Sequence, residues 1–256
     1  MMIETQIVDE EILIVTINRP NVKNAVDRDT AEILYKTFKN FEKSTKLKIA
    51  ILQGSNQNFC SGADLKALSN GKMNKISIDE EEGPMGPSRM LLSKPVIGSI
   101  EGYALAGGLE LACWCDLRII DETTIFSVSC RRFGVPLIDG GTVRLPRLIG
   151  MSRALDMILT GRPIYPKEAL EFGLANRIAP KGKTLEISIE IARNLIKFPQ
   201  ECLKNDRMSV YENFNLNQKE AIKNEFIFGL KTLNSKEYEK GSKKFVEKNF
   251  KKISKL

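Results

Sequence analysis

The chain has 256 residues, 42% of them apolar and 28% charged, the balance of a globular protein with one sizeable core. It contains no histidine, which excludes Ser-His-Asp and Cys-His catalysis and any His-containing zinc site. Lys and Arg total 39 against 32 Asp and Glu, a formal charge of +7, but the excess is spread widely and peaks between Lys243 and Leu256. That distribution reads as a solvated helix face or a contact for the phosphates of a small anion, and nucleic acid is not the expected partner.

Ile3 to Val8 and Ile12 to Asn18 read as two strands joined by a turn at Asp9-Glu10-Glu11. The second strand is apolar on both faces, so it belongs in a buried sheet. Asn18-Arg19-Pro20 ends it. Asp29 or Thr30 is expected to cap a helix whose apolar stripe is Ala31, Leu34, Phe38 and Phe41. Short buried strands follow at Ile49 to Gly54 and Val96 to Ile100. Between them Ser69 to Ser88, rich in Gly, Pro, Met, Asn and acids, reads as a mobile loop. Leu117 to Ile120 and Thr124 to Val128 are strand-like. Helices are expected at Thr142 to Ile149, Ser152 to Leu159, Pro166 to Phe172 and Thr184 to Ile196, and lysine-rich helix from Pro199 onward. Strands alternating with helices give an α/β class. The expected division is a core, residues 1–195, and a helical region, 196–256.

The chain enters its first strand pattern at once, so no signal peptide is expected, and no apolar run approaches the roughly 18 residues of a membrane span. Five scattered cysteines (Cys60, Cys113, Cys115, Cys130, Cys202) do not form a disulfide framework, and a reducing compartment is expected. Cys113 and Cys115 would point about 200° apart on a helix, so no metal is expected there.

Two segments carry the chemistry. Asn58 to Leu68 (NFCSGADLKAL) follows the strand at Ile49, and Gly102 to Asp116 (GYALAGGLELACWCD) follows the strand at Val96. Each is a strand, a glycine-bearing loop and a helix start. A helix start offers free N–H groups and a positive dipole end, so two such starts side by side can aim two N–H groups at one oxygen. Gly62, Gly107 and Gly108 leave room for the approach. Glu110, in the first turn of the second helix, has the apolar neighbours Leu109, Leu111 and Ala112. Such surroundings raise a carboxyl pKa toward the range an acid/base group needs.

The order NRPNVKNA (Asn18 to Ala25), FCSGADLKAL (Phe59 to Leu68), KPVIGSIEGYALAGGLELACWCDLRI (Lys94 to Ile119), GGTVRLPRLIG (Gly140 to Gly150), LTGRPIYPKEALEFGLANRI (Leu159 to Ile178) and KGSKKFVEK (Lys240 to Lys248) resembles the enoyl-CoA hydratase/isomerase (crotonase) family over nearly the whole chain. The resemblance implies an α/β fold of stacked ββα turns with a C-terminal helical oligomerisation region that builds trimers or hexamers. It implies an acyl-CoA substrate, with coenzyme A part of the substrate and no separate cofactor. The implied oxyanion donors are the backbone amides of Ala63 and Gly107. The adenine would lie along Ala63, Asp64, Leu65 and Lys66, and Lys248 would meet a CoA phosphate. Glu110 matches the first catalytic glutamate.

The second departs from the pattern: its position, four residues before Gly134, holds Cys130. Asp139 is a further candidate by proximity, one residue after the position (Ile138) where some members place a catalytic aspartate. The leading expectation is hydration of a 2-enoyl-CoA with Glu110 as base on the water and Cys130, Asp139 or a water protonating Cα. The alternatives are another crotonase reaction (isomerisation, decarboxylation or thioester hydrolysis) or a non-catalytic acyl-CoA- or RNA-binding role. The expected location is the cytoplasm, or an organelle matrix after processing.

Overall fold

The computed structural model describes residues 1–246. The chain forms two compact units, Met1–Arg193 and a second beginning at Asn194.

In the first unit, β1 (Ile3–Val8) and β2 (Ile12–Ile17) form an antiparallel hairpin. The three-residue loop Asp9-Glu10-Glu11 joins them, with Asp9 and Glu10 at positive φ (50° and 61°) and the Glu11 N–H donating to the Val8 carbonyl (3.3 Å). β3 (Ile49–Gly54), β4 (Val96–Ile100), β6 (Leu117–Asp121) and β8 (Arg177–Ala179) then add in parallel, giving the order β1-β2-β3-β4-β6-β8. Burial on both faces explains why β2, β3 and β4 are almost wholly apolar.

A second, smaller row pairs β5 (Tyr103–Leu105) with β7 (Ile125–Ser127), and single bridges extend it to Cys60 on one side and Ile164 on the other. Each turn of chain thus lays one strand in the large sheet and a short one in the small row: β3 then Cys60, β4 then β5, β6 then β7. These stacked turns, with helices closing them, form the ββα superhelix that the sequence resemblance implies.

The helix α1 (Arg28–Lys43) buries Thr30, Ala31, Leu34, Phe38 and Phe41, the expected stripe. Its cap is Asp27, not Asp29 or Thr30. Asp27 is extended and its carboxylate accepts the Thr30 N–H at 3.0 Å, whereas Asp29 and Thr30 already lie in the first turn. The far end of α1 is closed by buried Lys94, whose ammonium donates to the Phe41 (2.7 Å) and Ser44 carbonyls. Later come α2 (Leu65–Ser69), α3 (Gly107–Trp114), α4 (Gly141–Ile149), α5 (Met151–Thr160) and α6 (Pro166–Phe172), and α7 (Thr184–Ile196) carries the chain into the second unit. Among the described residues that unit holds α8 (Gln200–Asn213), α9 (Gln218–Asn234) and α10 (Glu237–Val246).

The loop expected to be mobile is only partly open. Ser69 belongs to α2, and Met85 and Ser88 are 1% and 0% exposed. The physical reason is a buried carboxylate, Asp139, that binds both. Among the described residues no helix is long and apolar enough to cross a membrane, and all five cysteines are free.

Candidate active site

The segment from Cys60 runs beside β5. The Cys60 N–H donates to the Tyr103 carbonyl (2.8 Å) and the Leu105 N–H to the Cys60 carbonyl (3.0 Å). This pairing brings the two strand-loop-helix turns together. At Gly62 (φ +99°) a Cβ would lie 3.0 Å from Ala106 Cβ, from Gly107 N and from Leu105 O, so only glycine lets the loops meet. A Cβ at Gly108 would sit 2.0 Å from the Cys60 carbonyl oxygen.

Two N–H groups are left over at the meeting point. Val26 bonds to the Gly62 carbonyl (2.8 Å) and to the Asp64 N–H (3.0 Å), which leaves the Ala63 N–H on the opposite side. Gly107 opens α3, where the first N–H groups have no intrahelical acceptor. The residue before it, Ala106, holds φ 52° and ψ −120°, a strained conformation for a side chain that sets the orientation of the Gly107 amide. Among the described residues neither N–H has a protein acceptor. Both Ala63 and Gly107 line a cavity of about 660 Å³.

Glu110 lines the same cavity and is 2% exposed. Its Oε1 accepts the Asp139 N–H (2.9 Å) and the Gly141 N–H (2.8 Å), while Oε2 makes no hydrogen bond among the described residues. Burial, and then the negative charge of Asp139, push its carboxyl from 4.5 up to about 7, against the two N–H donors and Arg144. Asp139 is also on the wall, its pKa raised by burial and held back by Ser88, Met85, Arg89 and Arg144. Cys130 sits in a 3₁₀ turn, Ser129–Phe133, and faces the cavity. Burial and the nearby Glu110 raise its thiol pKa despite Arg131, so the sulfur stays protonated.

All five side-chain and backbone candidates for catalysis, Glu110, Ala63, Gly107, Cys130 and Asp139, therefore line one cavity. Of the expected CoA contacts, Asp64 and Leu65 line it and Lys66 does not. The Asp64 carboxylate is occupied: it caps α2 through the Lys66 and Ala67 N–H groups (3.1 Å each) and pairs with Arg19 (3.0 Å), which also pairs with Asp27 (2.7 Å). Arg19 thus ties the NRP turn to two helix caps, leaving backbone as what Asp64 offers a ligand. Lys248 lies outside the described residues. The remaining wall is mostly apolar, including Leu68, Met73, Ile76, Met85, Phe133 and Ile138, with Ser61, Asn74 and Ser129 as its polar members. The part of Met85 was not legible in the sequence, because its neighbourhood has no periodicity.

The sequence pattern of the enoyl-CoA hydratase/isomerase family matches residues 8–253. The chain belongs to the enoyl-CoA hydratase/isomerase (crotonase) family. Among its relatives is enoyl-CoA hydratase EchA19 of Mycobacterium tuberculosis, 32% identical over 92% of this chain and 90% of that protein. Another is a carnitinyl-CoA dehydratase of Salmonella typhi, 34% identical over 72% of this chain and 71% of that protein. The fold is similar to that of enoyl-CoA hydratase EchA1 from Mycobacterium marinum, with a TM-score of 0.90, 28% identity and 96% of each chain covered. An enoyl-CoA hydratase from Bacillus anthracis has a TM-score of 0.86 at 27% identity, with 97% of each covered. The crotonase relatives are thus hydratases and dehydratases of CoA thioesters by name.

Proposed function

We propose that this crotonase adds water across the double bond of a 2-enoyl-CoA, and removes it in reverse, with Glu110 as the acid/base group. The observation that carries the reading is the state of Glu110. One oxygen is pinned by two N–H groups, the side chain lines the cavity, and burial pushes the carboxyl up to about 7. A group poised there both takes and gives a proton at pH 7. Glu110 takes a proton from water as the hydroxyl adds to Cβ. The electron pair of the double bond moves to Cα and the thioester oxygen. That oxygen sits between the Ala63 and Gly107 N–H groups, whose interaction strengthens as charge develops. The proton then returns to Cα from Glu110, directly or by relay through the Cys130 thiol, which gives its proton to Cα and takes up the one on Glu110, giving the 3-hydroxyacyl thioester. Asp139 lends charge to Glu110 and holds the wall.

An apolar acyl group suits the wall. Phe133 is the one aromatic lining residue among the described residues, too few for a cage around the quaternary ammonium of a carnitinyl group. The adenosine end is assigned to the backbone along Ala63 to Lys66, and a CoA phosphate to Lys248. Lys248→Ala should raise KM for the full CoA thioester with kcat unchanged, and leave a nucleotide-free thioester unaffected.

The deciding experiment follows enone absorbance with crotonyl-CoA. Glu110→Gln should lose about 10²–10⁴-fold in turnover while still binding the thioester. Cys130→Ser should change it by less than about tenfold, with no acyl adduct on the wild type by intact mass. An inactive Cys130→Ser together with an adduct would show thioester cleavage through the thiol instead.

A further inference from the structure

Asp139 joins Met85 and Ser88, 54 and 51 residues before it in the chain, to Glu110, 29 residues before it. Its Oδ1 accepts the Met85 N–H (2.8 Å) and the Ser88 hydroxyl, and its own N–H donates to Glu110 Oε1 (2.9 Å). Met85 sits in a tight turn in which Gly83 and Gly86 exchange N–H···O bonds of 2.9 and 2.8 Å, and Ser88 lies in the 3₁₀ turn Pro87–Arg89 that follows it directly. The turn packs closely on its surroundings: a Cβ at Gly83 would lie 2.0 Å from Ser88 Oγ, and one at Gly86 would lie 2.5 Å from the Ala31 carbonyl oxygen of α1. Met85 packs on Gly107: a Cβ there would meet Met85 Sδ at 2.7 Å. Ser88 is fully buried, and its hydroxyl is directed to the same carboxylate oxygen that takes the Met85 N–H.

We propose that Ser88 is a positioning residue: by donating to Asp139 it fixes the segment 83–88 so that Met85 backs Gly107 and keeps the Gly107 N–H aimed at the thioester oxygen. This rests on the reading of Gly107 as an oxyanion donor. The node has two separable outputs. Its geometry, set by Ser88, reaches Gly107 through Met85. Its charge, carried by Asp139, reaches Glu110. The charged and titratable groups around Asp139 are Glu110 on α3, Arg144 on α4, Arg89 beside Ser88, and the buried Cys60 thiol. Removing the Asp139 charge therefore moves the Glu110 titration to lower pH, while removing the Ser88 hydroxyl loosens Met85.

The test uses the full chain with a saturated acyl-CoA carrying a ¹³C thioester carbonyl, whose infrared band falls in frequency when N–H donors polarise it. In the wild type the band should lie below its position in water. In Ser88→Ala it should return at least halfway to that position. With enoyl-CoA, Ser88→Ala should lose about ten- to hundredfold in kcat, less than the loss of a whole oxyanion donor, while the Kd for the saturated thioester stays within about threefold. Asp139→Asn keeps an acceptor for both donors, so it should keep the wild-type band and shift the pH–rate limb below 7.

If Ser88→Ala gives poor yields, Ser88→Cys, a weaker donor in nearly the same space, should show a partial return of the band. A wild-type band in Ser88→Ala with only a lowered melting temperature would overturn the proposal, as would loss of the band in Asp139→Asn but not in Ser88→Ala. If the wild type turns over no enoyl-CoA yet the band behaves as described, the positioning role stands and the hydration reading fails.

Discussion

Glu110 is the residue where stability and chemistry oppose each other. Its folded-state pKa of about 7 lies above the 4.5 of an unperturbed carboxyl, so the folded chain binds this proton more tightly than the unfolded one. The contribution of Glu110 to stability is therefore complete below about pH 4.5 and is lost as pH rises through 7, by about 3 kcal/mol in all. Glu110→Gln retains an acceptor for the Asp139 and Gly141 N–H groups and carries no charge. Urea unfolding should find the variant close to the wild type at pH 4.5 and more stable by up to about 3 kcal/mol at pH 8.5. A difference independent of pH would mean that the carboxyl is not held neutral by burial. The apolar run around Glu110 made its role legible in the sequence. Its partners Asp139 and Gly141 were not legible as partners, because they lie 29 and 31 residues away and reach it through backbone N–H groups. Asp139 was readable only as a nearby acid, and nothing in the sequence singled out Ser88.

At the scale of elements, the strands β2 to β4 and the helix α1 were legible because apolar runs and a 3.6-residue stripe are strong local signals, and β1 was legible from the turn residues that separate it from β2. β5 and β8 were not, since three residues each carry no period and are fixed by neighbours distant in the chain. The cap of α1 was misplaced by two residues because Asp27, Asp29 and Thr30 are all good caps by type, and only backbone geometry selects Asp27. The two turns of the oxyanion site offer a paired test. Gly62→Ala places a side chain at φ +99° against three atoms at 3.0 Å, and should cost about 1–3 kcal/mol of stability and most of the turnover. Ala106→Gly relieves the positive φ at 52°. It should leave the melting temperature unchanged or raise it by a few degrees, since relief of about 1–3 kcal/mol outweighs the entropy of glycine, roughly 0.5–1 kcal/mol. A fall in melting temperature would show that Ala106 is unstrained.

Over the whole molecule, the second unit leaves apolar surface uncovered. On α9, Phe228 is buried at 7% exposed, whereas Phe226 and Leu233 are 66% and 52% exposed, with Ile227 and Leu230 also open. A helix with this much apolar surface needs a partner, and self-association as a trimer or hexamer is our proposal. Light scattering at micromolar concentration should give a mass of three or six chains, and Phe226→Glu with Leu230→Glu should lower it. A monodisperse monomer for the wild type would refute it. The pairing of Cys60 with β5 also foretells how amide protons exchange with solvent. Cys60 and Leu105 are locked to each other's strand and should exchange slowly and together, whereas Ala63 and Gly107, flanking that lock, should exchange fast in the free protein. Acyl-CoA should slow those two amides above all others nearby. The unliganded site would thus be visible as a pair of fast-exchanging amides set beside a slow one, before any substrate is known.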